Sequence, residues 1–278
     1  MDIKLPTPTI IPTENDYEVD GILYCGTCNK PKTKLVKLNR AMYPVPIACD
    51  CVKARNERIR QEEIKTEVER QERERREKIE SLRYEAFPDL RMRNWTFAED
   101  DKANAKISDI AQKYVDNFSA MSARGMGLLL YGGVGTGKTF ISACIANALI
   151  DEGYTCFATN FASLSNTLQS SFSGRQELME KLASYSLLVI DDLASERDTE
   201  YMGEVVQNVI DARYRAQKPL IVTTNLTGEE LKHPKDIRKE RIYSRLFEMC
   251  IPVEVKGVDR RKKKLRDSNK DLRELLGI

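Results

Sequence analysis

Gly132-Gly133-Val134-Gly135-Thr136-Gly137-Lys138-Thr139 follows the apolar run Leu128-Leu129-Leu130-Tyr131 and opens a segment of helical character. It fits G-x-x-x-x-G-K-[ST] throughout, in the strand-then-helix setting that gives the pattern its meaning. The glycines let successive backbone N–H groups curl around phosphate oxygens, and the start of a helix adds its dipole to that nest. Lys138 has the reach for β- and γ-phosphates, and the Thr139 hydroxyl suits Mg²⁺. A chance glycine-rich turn would lack the flanking strand and helix. The eight residues are read as a nucleoside triphosphate site.

Two further apolar runs end in polar groups. Leu187-Leu188-Val189-Ile190 stops at Asp191-Asp192, and Pro219-Leu220-Ile221-Val222 runs through Thr223-Thr224 to Asn225. A carboxylate at such a strand end holds the Mg²⁺ shell, which suits Asp191. Asp192 is then placed to orient or deprotonate the attacking water. Asn225 is suited to hydrogen-bond that water or the γ-phosphate, although a strand-terminal Asn taken alone is usually a turn residue. Strands are expected at Gly127–Tyr131, 154–159, 187–190, Leu220–Thr224 and 251–255, with helices between them, as at 139–152 and Glu200–Ala216. Nearly continuous apolar strands separated by helices imply a mainly parallel sheet covered on both faces, a three-layer α/β domain.

Upstream, Cys25-x-x-Cys28, twenty intervening residues and Cys49-x-Cys51 make a four-thiolate set. Two such pairs complete a tetrahedron around Zn²⁺, with sulfurs about 2.3 Å from the metal. The intervening segment is polar and basic, so a core is hard to form there without metal. Four ligands leave no open position, which makes the site structural. Cys-x-Cys is the less usual spacing, and a redox pair or unliganded thiols are the other readings. Cys144, Cys156 and Cys250 lie in apolar segments and are read as buried. His233, the single histidine, sits beside Pro234 in a polar loop and is given no catalytic role.

The chain has 278 residues and 45 basic against 43 acidic side chains, a net charge of +2, which excludes a wholesale polybasic coat. Charge is concentrated at 53–80, where 19 of 28 positions are charged. With no Gly or Pro and no sustained apolar stripe, that zone is expected to be a solvated spacer helix. A helix that docks a partner is the other reading. No apolar run approaches the ~20 residues of a membrane span. The N-terminus, opened by Pro6, Pro8 and Pro12, lacks a signal pattern, so a soluble, cytoplasmic protein is expected. Residues 256–266 hold seven basic side chains, read either as a solvated tail or as a salt-sensitive phosphate-binding run. Four zones result: a zinc-binding unit at 1–52, a charged linker at 53–93, a nucleoside-triphosphate-binding domain at 94–255 and a basic tail at 256–278.

Glycine loop, Asp-Asp strand and Thr-Thr-Asn strand, in that order, resemble the AAA+ ATPases. More narrowly, the chain resembles bacterial and phage replicative-helicase loaders of the DnaC/DnaI type and their ATP-binding relatives in transposition. Asn94-Trp95-Thr96-Phe97, Asp191-Asp192-Leu193-Ala194-Ser195-Glu196 and Arg241-Ile242-Tyr243-Ser244-Arg245-Leu246 carry that resemblance further. It implies ATP and Mg²⁺ as cofactors, Lys138, Thr139 and Asp191 as their ligands, and Asn225 as the first sensor. It also implies Arg245 as a finger reaching a neighbouring subunit's ATP, with Arg241 the alternative, and Arg260 as the second sensor, with Arg261 beside it. Partners implied are a hexameric replicative helicase gripped by the zinc unit, single-stranded DNA, and further copies of the chain. A phage or prophage source is expected. Most AAA+ proteins carry Glu where this chain has Asp192, so slow hydrolysis is expected. The 23 residues after Val255 are too few for a helical lid, and loaders resemble this truncated form as well. A transposition ATPase delivering a transposase to DNA and an ATP-switched adaptor with little hydrolysis are the rival readings.

Overall fold

The computed structural model describes residues 13–38, 41–170, 175–194, 200–234 and 236–260. Pro6, Pro8, Pro12, Ser195, Glu196 and the basic run from Arg261 onward lie outside the described residues. Packing divides the chain into two units, Met1–Arg75 and Arg76–Ile278.

In the first unit β1 (Tyr17–Val19) and β2 (Ile22–Tyr24) form one antiparallel hairpin, and β3 (Thr33–Leu38) and β4 (Ala41–Pro46) another. The first hairpin turns at Asp20-Gly21, both at positive φ, as a two-residue turn of matching twist requires. Cys25, Thr33 and Cys49 are the buried residues among those described here. A unit with so little apolar burial needs a staple to hold it. One partly buried ion pair helps: Lys32 donates to Asp16, which also accepts from the Thr13 and Gly26 N–H groups. The Lys32 ammonium, foremost, holds the Asp16 carboxyl well below the usual carboxylate range. The charged zone is helical as expected, in α1 (Asp50–Ala86). It starts at Asp50, ahead of the charged run, and so carries Cys51 in its first turn.

The division between the units falls inside α1, whereas the sequence reading placed its boundaries at 52/53 and 93/94. Ile79, Leu82, Ala86 and Phe87 explain the difference: all four pack into the core of the second unit. That unit continues through two 3-10 turns, Leu90–Asn94 and Phe97–Glu99, to α2 (Ala105–Asp116) and α3 (Phe118–Ala123). Then come β5 (Gly127–Tyr131), α4 (Lys138–Asp151), β6 (Cys156–Asn160), α5 (Phe161–Ser170), α6 (Arg175–Ser184) and β7 (Leu187–Leu193). The fold closes with α7 (Glu200–Ala216), β8 (Leu220–Thr224), α8 (Gly228–Lys232), α9 (Ile237–Met249) and β9 (Cys250–Glu254).

All five strands run parallel in the order β6-β7-β8-β5-β9. Alternate residues feed opposite faces. Leu128, Leu130, Leu187, Val189 and Ile221 join one core with α2 and α4, whereas Leu129, Leu188, Ile190, Leu220 and Val222 join the other with α7 and α9. Cutting any of these leucines to alanine would cost about 2–5 kcal/mol. The parallel α/β architecture is the one expected. β9 is an edge strand and carries Pro252 in its middle.

Two buried polar side chains tie elements together. Asn147 on α4 donates to the carbonyls of Met92 (2.8 Å), Trp95 (2.9 Å) and Ala143 (3.1 Å). Its own oxygen accepts from Arg83 at the end of α1, at 3.0 Å. Arg213 on α7 is fully buried, and its guanidinium donates to the carbonyls of Leu182, Tyr185 and Pro219. Among the described residues no helix is long and apolar enough to cross a membrane.

Candidate nucleotide site and cysteine cluster

β5 is an inner strand of the sheet, and the octet after it turns directly into α4. Gly137 caps that helix at φ 99° and Gly135 holds φ 75°, a region open to glycine and costly for other residues. Inside the curl, the buried Lys138 ammonium donates to the carbonyls of Gly132 (2.9 Å) and Gly133 (2.8 Å). The Thr136 hydroxyl donates to Gly133 at 2.9 Å and pins the far side of the loop.

β7 brings its two carboxylates to this loop through an irregularity. Ile190 faces Val222 on β8, but Leu193 faces Thr224, so β7 spends one residue more than its partner. Such a bulge re-aims side chains and is common beside active sites. Asp192 sits inside it at φ 64°, a conformation that Asp and Asn tolerate best after glycine.

The result is two cross-linked chains of hydrogen bonds. Asp191 accepts from the Thr139 hydroxyl at 2.8 Å and the Thr223 hydroxyl at 2.6 Å. Lys138 donates to the Asn225 oxygen at 2.8 Å, and the Asn225 amide donates to Asp192 at 2.8 Å. Thr223 joins the two by accepting from the Asp192 N–H at 2.9 Å. Burial pushes the Asp191 carboxyl up, and the two threonine hydroxyls offset only part of that rise. A carboxylate short of water beside a hydroxyl is a hard-oxygen pair of the kind Mg²⁺ takes, so the residues fit that ion.

Arg260 also lies at the loop. Its N–H donates to the Gly135 carbonyl at 3.0 Å, and its guanidinium reaches within 4 Å of where a methyl on Gly137 would stand. Arg245 is engaged elsewhere, paired with Asp211 of α7 and held 5.8 Å over the Tyr214 ring. Thr223 was missed as a participant. Its signal was present, since it directly precedes the strand end singled out for Asn225.

In the first unit the sulfurs of Cys25, Cys28 and Cys51 lie within 4.8 Å of one another. Tetrahedral zinc with 2.3 Å bonds needs about 3.8 Å between sulfurs, a small contraction from there. The Cys49 thiol lies against those of Cys25 and Cys28 but stands outside that mutual group. The Cys28 and Thr27 N–H groups stabilise the Cys25 thiolate and lower its pKa to about 6. Val52 N–H favours the Cys49 thiolate, yet burial and the neighbouring thiols together push Cys49 up. Contact with Cys28, then burial, pushes Cys51 up to about 11. Crowded thiols that resist shared ionisation suit a dication, which removes their repulsion, so the donor set fits zinc.

Comparison with known proteins places this geometry. The family described as IstB-like ATP binding protein matches residues 51–268. The chain is 26% identical over 167 residues to "Replicative helicase loader DnaI" of Bacillus subtilis (strain 168), covering 56% of this chain and 52% of that one. It is 26% identical over 125 residues to "Replicative helicase loader DnaC" of Escherichia coli (strain K12), covering 44% and 50%. The chain therefore spans about half the length of the curated relatives it matches. The crystal structure of the DnaC helicase loader superposes with a TM-score of 0.52 at 22% identity, over 60% of this chain and 99% of that one, which shows a shared fold. Glycine loop, carboxylate strand and the long match agree, and the chain belongs to the family of IstB-like ATP-binding proteins.

Proposed function

We propose that the chain is a Mg²⁺-dependent ATPase that binds a hexameric replicative DNA helicase and delivers it onto single-stranded DNA. The observation that carries the ATPase reading is the paired hydrogen-bond chain Lys138–Asn225–Asp192 and Thr139–Asp191–Thr223. Similarity to loaders from two bacteria supports the choice of client. A cytoplasmic location follows from the same reading.

Lys138 exchanges its loop carbonyls for the β- and γ-phosphate oxygens, while the loop N–H groups bind the rest of the triphosphate. Thr139 and Asp191 would hold Mg²⁺, which neutralises charge developing on the transferred phosphoryl group. Asp192 accepts the proton of the attacking water and Asn225 orients that water, the two already joined at 2.8 Å. Arg245, released from Asp211, reaches the ATP of an adjacent copy and stabilises the transition state there. The unit at 1–52 carries structural zinc on Cys25, Cys28, Cys49 and Cys51 and grips the helicase, and α1 sets the reach.

The test is co-purification with the replicative helicase of the same cell, with ATP and without, for wild type, Lys138→Ala and a variant lacking residues 1–52. A stable complex lost on removal of 1–52 supports the reading. No complex under any nucleotide condition overturns it and turns attention to a transposase as client.

A further inference from the structure

Arg260 owes its place at the phosphate loop to residues that no motif includes. After β9, residues 255–260 run back across the loop. Val255 N–H donates to the Tyr131 carbonyl at 2.8 Å, and Arg260 N–H donates to the Gly135 carbonyl at 3.0 Å. The fit between them is close: a methyl on Gly132 would stand 2.7 Å from the Val255 carbonyl oxygen, and one on Gly135 would strike the Asp259 carboxylate.

A second segment, the loop 100–104 ahead of α2, closes on this strap from outside. The Asn104 amide donates to the Lys256 carbonyl at 2.6 Å. One oxygen of Asp101 forms an ion pair with the Arg260 guanidinium at 3.1 Å and accepts from the Ala103 N–H at 3.0 Å. The carboxylate is thus fixed by its own backbone while it holds the arginine. On the far side the guanidinium carbon and two of its nitrogens lie 3.7–3.8 Å from a methyl position on Gly137, the residue before Lys138. Arginine is a long side chain with large rotamer entropy, and a carboxylate paired with it restricts where its charge can sit.

We infer that Asp101, supported by Asn104, is a positioning residue that aims the Arg260 guanidinium at the phosphate loop, so that the strap 255–260 is held ready for the nucleotide. Asp101 itself touches no phosphate. It acts through Arg260, and its side chain is 64% exposed, so the pair contributes little to folding. Its removal therefore separates positioning from stability. The inference rests on the reading of the octet as an ATP site.

The experiment measures binding of a fluorescent ATP analogue, and thermal unfolding, for the full chain. The variants are Asp101→Asn, Asp101→Glu, Arg260→Ala and the double variant Asp101→Asn/Arg260→Ala, with Lys138→Ala as control. Asp101→Asn is expected to weaken the analogue about five-fold, or ~1 kcal/mol, with an unchanged unfolding temperature. Asp101→Glu should recover part of that loss, and the double variant should bind no worse than Arg260→Ala alone. Unaltered affinity in Asp101→Asn, or a loss that adds fully to that of Arg260→Ala, overturns the inference while leaving the ATP site intact. A wild type that binds no better than Lys138→Ala overturns both.

Discussion

Asp192 combines a left-handed backbone with a hydrogen bond from Asn225, and that combination makes asparagine the informative replacement. Asn adopts φ near 64° at least as readily as Asp, and it still offers an oxygen to the Asn225 amide, but it takes no proton. Asp192→Asn is expected to bind ATP normally and to release phosphate about 10²–10⁴-fold more slowly, read by nucleotide titration beside a phosphate-release assay. Glutamate, the usual AAA+ residue, would meet more strain at this φ, which accounts for Asp here in terms of the bulge. Arg213 gives a contrasting residue-scale case. Burial lowers its pKa to about 10, and the carbonyls of Leu182, Ala183, Tyr185, Ser186 and Pro219 all accept from it. Arg213→Met strands those acceptors and is expected to cost about 2–4 kcal/mol, measured as a lower urea midpoint in the fluorescence of Trp95, the sole tryptophan. Nothing in the sequence marks it. A basic residue in the last turn of α7 has the pattern of an ordinary helix-dipole partner.

At the scale of elements, the legible parts were those whose signal is continuous. Leu220–Thr224 and Glu200–Ala216 have the bounds expected of them, because an unbroken apolar strand and a long helical periodicity leave little choice. β7 runs to Leu193, beyond the expected end at 190, because the bulge lets two aspartates continue a strand their polarity had seemed to stop. The end of α1 was illegible for a different reason. Ile79, Leu82 and Ala86 make an apolar face over two turns only, too brief to stand out against the charged run before it. What fastens that end is Asn147, a polar residue in the middle of an apolar helix. Asn147→Ala removes its bonds to Met92 and Trp95 and the support of Arg83. It should cost about 2–3 kcal/mol and raise amide exchange selectively in Leu90–Asn94, ahead of any change in the sheet.

For the molecule as a whole, the two units draw on different sources of stability. The second has two apolar cores on either face of one sheet, whereas among the described residues of the first only Cys25, Thr33 and Cys49 are buried. Metal removal is therefore expected to act on them unequally. Chelation under mildly acidic conditions should release one zinc per chain and abolish the strand signal of the hairpins, with the Trp95 transition held at its midpoint. Cys51→Ser should lower zinc stoichiometry without touching ATP binding. The cysteine spacing singled out the thiols that the fold gathers, Cys25, Cys28 and Cys51 in one group, whereas the two hairpins carry too little apolar alternation to be read.

The edge of the sheet has one more consequence. Val255 N–H points inward, to Tyr131, so by the alternation of a strand the nitrogen of Pro252 faces outward. Proline has no hydrogen to offer there, and the open side of β9 lacks a donor at its centre. Strand-to-strand fusion of two such sheets is blocked at this border. On the proposed reading, in which copies gather and part again, this edge does not zip them into one continuous sheet.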